Sequence, residues 1–267
     1  MGSKQKKRRN GKDIRNAFVM LCVTVAMMST ATYAWFTMTD SPTVEGLRMT
    51  AATTGGLEIS KDQSTWAGSI DFESVDKELS PVSTRSKTGP AFHTPVYTGG
   101  TVTGVSSSAI SDSELQNYVA KYTYYLRSTG SGSVNVGLKG GDGSTTGCYL
   151  KAESGDKHVE YSLRVGFYVN NTWFMYEPNA NGDKSGVSAL QSGDGANPVV
   201  PDAYCKQNTN GQFTSGGDKT ATMFTLPSGE GGSKIDMYIW IEGTDKDCVN
   251  EIMEGTAIGQ IQFTVVN

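Results

Sequence analysis

Histidine is nearly absent: His93 and His158 are the only two in 267 residues. A zinc site needs three or four ligands at a recognisable spacing, and no HExxH, CxxC or paired histidine occurs. His158, two residues before Glu160, reads as a solvated pair rather than a base, and His93 sits in a loop near Pro95. Cysteine is scarce too. Of the four, Cys22 falls in an apolar N-terminal run, which leaves Cys148, Cys205 and Cys248 in the body of the chain. Three is odd, so either one pair forms and one thiol stays free, or all three are reduced. None has a histidine nearby, and they read as small buried hydrophobes. GxSxG and P-loop motifs are missing, and the glycine-rich loops lack the following helix that would offer a phosphate its N-terminus. Acidic pairs such as Asp245 with Asp247, or Asp71 with Glu73, are what a chain of this charge scatters by chance. The expectation is no enzyme and no cofactor.

Basic residues are scarce beyond the N-terminus. Seven of the 23 Lys+Arg and one of the 27 Asp+Glu lie in the first 34 residues, so the remainder carries 16 basic and 26 acidic groups, a formal charge of −10. Nucleic-acid binding needs clustered Lys and Arg to displace counterions, and this balance opposes it. A second apolar span and a wall-sorting tail of the LPxTG kind are also lacking.

What is present begins with a basic head, Lys4-Gln5-Lys6-Lys7-Arg8-Arg9, followed by an uncharged segment from Ala17 to Phe36. That order is the signature of a secretory signal. Its roughly 20 residues also suffice to span a bilayer, so length fits both a removable signal peptide and a retained anchor. Small residues favour cleavage: Ser29 and Ala31, or Thr32 and Ala34, fit the −3 and −1 places, which predicts a cut after Ala31 or Ala34 by signal peptidase. A type IV prepilin is the poorer reading, because Gly11 is followed by Lys12 and no Glu enters the apolar run. The expected organisation is a signal peptide and apolar helix over 1–34 and one exported domain over 35–267.

Gly makes up 32 residues, and Tyr, Val and Phe recur in short alternating runs, the pattern of strands between glycine-rich turns. In the first strand Leu47, Met49 and Ala51 share one face while Arg48 and Thr50 share the other, and Thr53-Thr54-Gly55-Gly56 predicts a hairpin into Leu57–Ser60. Residues 61–113 read as irregular loop with small strands around Trp66, Ile70–Phe72 and Phe92. Clear strands follow over 118–128, 134–138 and 161–169, the last turning through Asn170-Asn171 into a partner at 173–176. Residues 177–219 are polar; Asn179, Asn181 and Asp183 alternate like calcium ligands, but the loop glycine and distal Glu of an EF-hand are missing. Strands at 223–226, 235–242 and 258–266 close the chain, with a short helix predicted from Thr244 to Gly255. Trp66, Trp173 and Trp240 raise a sugar-stacking platform, against which Trp173 and Trp240 lie in strongly apolar strands where packing is the commoner use.

Both ends carry a resemblance. Ala31-Thr-Tyr-Ala-Trp-Phe-Thr37 looks like the cleavage junction of a dedicated signal peptidase, Gly56-Leu-Glu-Ile-Ser60 follows, and Ile239-Trp-Ile-Glu-Gly-Thr-Asp-Lys-Asp-Cys-Val-Asn250 precedes a closing Ile261-Gln-Phe263 strand. These segments resemble the camelysin/TasA-like family of secreted biofilm-matrix fibre subunits; the long middle loops depart from it. The resemblance implies an all-β, jelly-roll-like antiparallel β-sandwich, secreted to the cell surface, whose freed N-terminal strand inserts into the sheet of the next subunit. The implied strand-donor residues are Val44, Leu47, Met49 and Ala51. The implied partners are further copies of the chain in a filament, together with other matrix or cell-surface components. Some family members were described as metalloproteases, and the zinc ligands for that are not in this sequence. A rival reading is a cell-surface adhesin or carbohydrate-binding module that does not polymerise, using the loops at 61–113 and 177–219.

Overall fold

The structure is a computed structural model. It describes residues 20, 44–74, 78–84, 89–98, 101–139, 147–153, 159, 162–176, 205–207, 213–215, 222–229, 231–245, 248 and 255–266. Residues Met1–Asp40 and Ser41–Asn267 separate into two units, and of the first only Met20 is described, in helical conformation. The signal segment, its cleavage positions Ala31 and Ala34, His158 with Glu160, and the polar stretch holding Asn179, Asn181 and Asp183 lie outside the described residues. Among the described residues no helix is long and apolar enough to cross a membrane.

The second unit is a β-sandwich. Its strands in chain order are β1 (Val44–Thr53), β2 (Leu57–Ser60), β3 (Ser69–Asp71), β4 (Ser83–Thr84), β5 (Phe92–His93), β6 (Pro95–Thr98), β7 (Thr101–Val105), β8 (Val119–Ser128) and β9 (Val134–Leu138). Then follow β10 (Tyr149–Ala152), β11 (Leu163–Val169), β12 (Thr172–Tyr176), β13 (Cys205–Gln207), β14 (Phe213–Ser215), β15 (Phe224–Leu226), β16 (Ser233–Ile241) and β17 (Gly255–Val266). One helical turn, α1 (Asp112–Leu115), precedes β8. The first sheet runs β15-β9-β17-β1-β3, with β10 also on β17; the second runs β12-β11-β16-β8-β2. Every pairing within the two sheets is antiparallel except that of β1 with β17.

The alternations explain the layers. In β17, Ala257, Ile261 and Phe263 are buried and their neighbours half-exposed, so this strand has one wet face. Phe263 meets the opposite sheet at Phe167 and Tyr124, with ring centroids 5.9 and 6.0 Å apart. β11 and β12 form the expected hairpin: Asn170 and Asn171 both have positive φ, 50° and 60°, as a two-residue type I′ turn requires.

The second sheet does not alternate. Strand β16 is buried at Ile235 through Ile241 without interruption, because its outer face is covered as well. There Val82, Phe92, Val119, Trp173, Met175, Tyr238 and Trp240 form a second apolar cluster. Phe92 packs edge-on to Trp240 at 5.2 Å, and Trp173 stacks on Trp240 at 6.2 Å. Trp173 lies across the bare backbone of Gly166, where a Cβ would come within 2.1 Å of the indole. The described parts of 78–113, within the 61–113 stretch that reads in sequence as loop with small strands, therefore contribute to the cover of this sheet through Val82 and Phe92. Trp173 and Trp240 are core residues and offer no sugar platform.

One local expectation is corrected. β1 and β2 do not form a hairpin: β1 belongs to the first sheet and β2 to the second, and Thr53–Gly56 is the corner between them. Thr54 N–H bonds to the Phe263 carbonyl, Gly55 packs against Val265, and Gly55 and Gly56 take φ of 75° and 81°. Glycine permits that backbone, and the apolar face of β1 is buried by turning away from β2. The helix predicted from Thr244 lies mainly outside the described residues; Thr244 and Asp245 form a turn.

Candidate functional site

Strand β1 is the candidate site. Its backbone pairs in parallel with β17 from Val44 with Gly255 to Thr53 with Phe263, so the first described strand lies beside the last within one chain. A register irregularity between Val44 and Leu47 precedes the regular ladder. Leu47 and Met49 are each 2 % exposed and Ala51 is fully buried. Burial of the Leu and Met side chains contributes roughly 1.5–3 kcal/mol each. Met49 fits over Gly259: a Cβ there would lie 2.7 Å from Met49 Sδ and 2.8 Å from Leu150 Cδ1. The backbone pairing places Val44 in the same strand, at its N-terminal end. Leu47, Met49 and Ala51, read in sequence as one face, are brought together as the face against the core.

The other edge of β1 is thinly covered. Strand β3 pairs with it only over Thr50–Ala52, extended by Phe72 N–H to the Met49 carbonyl and Thr53 N–H to the Gly68 carbonyl. Thr50 Oγ1 donates to Asp71 at 2.9 Å, and Arg48 pairs with Glu153 at 3.1 Å on the surface. No strand among the described residues pairs with the outer edge of residues 44–48. Strand β1 is thus one short strand away from the rim of its sheet, tethered at one end by the Gly55-Gly56 corner.

A second feature escaped the sequence reading. Arg164, Glu242, Thr244 and Asp245 are all buried at 5 % exposure or less, at the end of β16. Arg164 forms an ion pair with Asp245. Glu242 accepts hydrogen bonds from Trp240 Nε1 at 3.1 Å and from the Thr244 hydroxyl at 2.6 Å. Burial pushes the Glu242 carboxyl above its ordinary range, against the opposing pull of Arg164 and of the donors around it. The backbone beside it closes the joint: Val82 N–H bonds to the Ile241 carbonyl and Gly243 N–H to the Val82 carbonyl. The cluster therefore fastens the 78–84 segment to the sandwich, and its four side chains are buried. The one signal in sequence was an acidic residue ending the apolar run Ile239-Trp-Ile-Glu242.

The remaining candidates have structural partners. His93 Nδ1 lies 2.8 Å from the Ser106 carbonyl oxygen. Cys148 is a buried free thiol at the point where β10 gives way to β9 along β17, and it accepts Gln262 N–H at 3.1 Å. Burial pushes its thiol up to about 12, and Cys248 is likewise free and raised by burial. Among the described residues no group of three or more His, Cys, Asp and Glu is placed to hold a metal ion. No protein family, curated protein or solved structure matches the chain.

Proposed function

We propose that this chain is a secreted structural subunit of an extracellular filament or biofilm matrix, assembled head to tail by strand donation and akin to the camelysin/TasA-like fibre proteins. The observation that carries this reading is the place of β1. It fills the core with Leu47 and Met49, is held by a parallel ladder on one side and three residues of β3 on the other, and hangs on a two-glycine corner. In the monomer the strand closes its own sheet. In the filament the same strand enters the place beside the neighbour's β17, with the same hydrogen bonds and the same register of alternating side chains. Such a swap is heterologous and does not close on itself, so it grows a fibre. The export segment, cut near Ala31 or Ala34, frees the end of the strand and makes assembly follow secretion. The exported net charge of −10 fits a soluble, extracellular subunit.

Negative-stain microscopy of protein lacking residues 1–34 tests the reading. Fibres are expected above a threshold concentration, and deletion of residues 35–52 abolishes them. Absence of fibres at every concentration, with the deletion altering stability alone, refutes it.

A further inference from the structure

A polar cleft of about 470 Å³ opens at the β2–β8 edge of the second sheet, lined by Glu58, Arg127 and Thr129 with Ser131 and Ser228 from two turns. The volume lies within the range of about 300–1,000 Å³ for small-ligand clefts. Glu58 and Arg127 sit opposite each other across the strand pair. Arg127 Nε donates to Glu58 Oε2 at 2.8 Å, Nη2 lies 2.7 Å from the same oxygen, and the guanidinium lies 4.2 Å over the ring of Trp66. Trp66 is itself seated on Gly232, where a Cβ would come within 2.7 Å of the indole. The nearby Ser60–Thr65 turn is fixed by Gln63 Nε2 donating to the Gly231 carbonyl at 2.7 Å. The pair is thus held in place before any ligand arrives.

We infer that this cleft binds a neutral saccharide. Two of its lining hydroxyls are engaged: Thr129 Oγ1 donates to the Gly56 carbonyl, and Ser128 Oγ accepts Gly130 N–H. Three other polar groups are not. Glu58 Oε1 accepts no hydrogen bond from a described residue, and the hydroxyls of Ser131 and Ser228 have no hydrogen-bond partner among the described residues. A carboxylate oxygen calls for donors, and a serine hydroxyl takes either role. An anionic ligand would meet the Glu58 carboxylate and compete with it for Arg127. An apolar one would cover polar groups without satisfying them, at a cost. Vicinal hydroxyls satisfy all three groups without disturbing the ion pair. Trp66, a stacking candidate in sequence, serves here by fixing the guanidinium rather than by facing the sugar.

The inference does not rest on the filament reading. Its test is saturation-transfer NMR on the full-length protein with cellobiose and N,N′-diacetylchitobiose as probes. Transfer to at least one probe is expected, with affinity lowered about tenfold or more both in Glu58→Gln and in the double variant Ser131→Ala/Ser228→Ala. The serine variant changes only exposed turn residues, and a thermal melt confirms folding of each protein. No transfer to either probe, or affinity within about twofold of wild type in either folded variant, overturns the inference.

Discussion

Among the described residues, Glu242 and Asp245 both lie in the field of one buried guanidinium, that of Arg164. Asp245 takes the direct ion pair, and burial then favours the protonated form of Glu242. A carboxyl whose folded value is raised binds its proton more readily in the folded than in the unfolded chain. Its contribution is present in full below the ordinary value of 4.5 and fades as pH rises through the folded value. Urea titrations from pH 4.5 to neutrality therefore show wild-type stability falling relative to Glu242→Gln, by about 1.4 kcal/mol for every tenfold by which folding tightens the hold of Glu242 on its proton. A constant difference across that range contradicts the assignment. Cys148 behaves more simply: burial pushes its thiol up to about 12, so it stays protonated and unreactive, as its reading as a small hydrophobe implied. Arg164 was not legible. It occupies an outward position in the alternation of β11, and its pairing with Asp245 in the turn after β16 is a long-range contact that local pattern does not encode.

At the scale of elements, β1 separates packing from surface charge. Leu47→Ala is expected to cost about 2–5 kcal/mol in chemical denaturation, because its site is enclosed by both sheets. Arg48→Ala, one residue away, is expected to stay within about 1 kcal/mol, because its pair with Glu153 is 65 % and 34 % exposed on the two side chains. Comparable losses in the two variants would mean that β1 is not held by its apolar face. Legibility follows the same division. Strands β1, β8, β11 and β17 were readable from period-2 patterns, and β12 from the Asn170-Asn171 turn. Strand β10 was missed because Tyr149–Ala152 offers too few alternations to register. The partner of β1 was misread because the Gly55-Gly56 pair signals a turn without saying whether the chain returns to the same sheet. Leu47, Met49 and Ala51 were legible as one face, whereas their parallel match to β17 depends on contacts some 210 residues apart, which local pattern does not encode.

At the scale of the whole molecule, the proposed filament would differ little in contacts from the closed monomer. On that proposal one β1–β17 interface would be exchanged for another, so the balance would rest on the corner at Thr54–Gly56 and on the entropy of association, and assembly would rise with concentration. Release of β1 would expose Leu47 and Met49, each 2 % exposed in the closed chain, so the proposed exchange would be slow. The most direct test of strand donation uses two single variants, Thr50→Cys and Gln260→Cys, purified separately and mixed under assembly conditions. Thr50 and Gln260 are register partners in the β1–β17 ladder. Neighbouring strands lie about 4.8 Å apart, within the Cα separation of about 4.4–6.8 Å that a disulfide spans. Donation predicts a disulfide joining one chain of each variant and growing with the fibres. Fibres that form without this cross-link, while the double variant closes a disulfide within each chain, would contradict it.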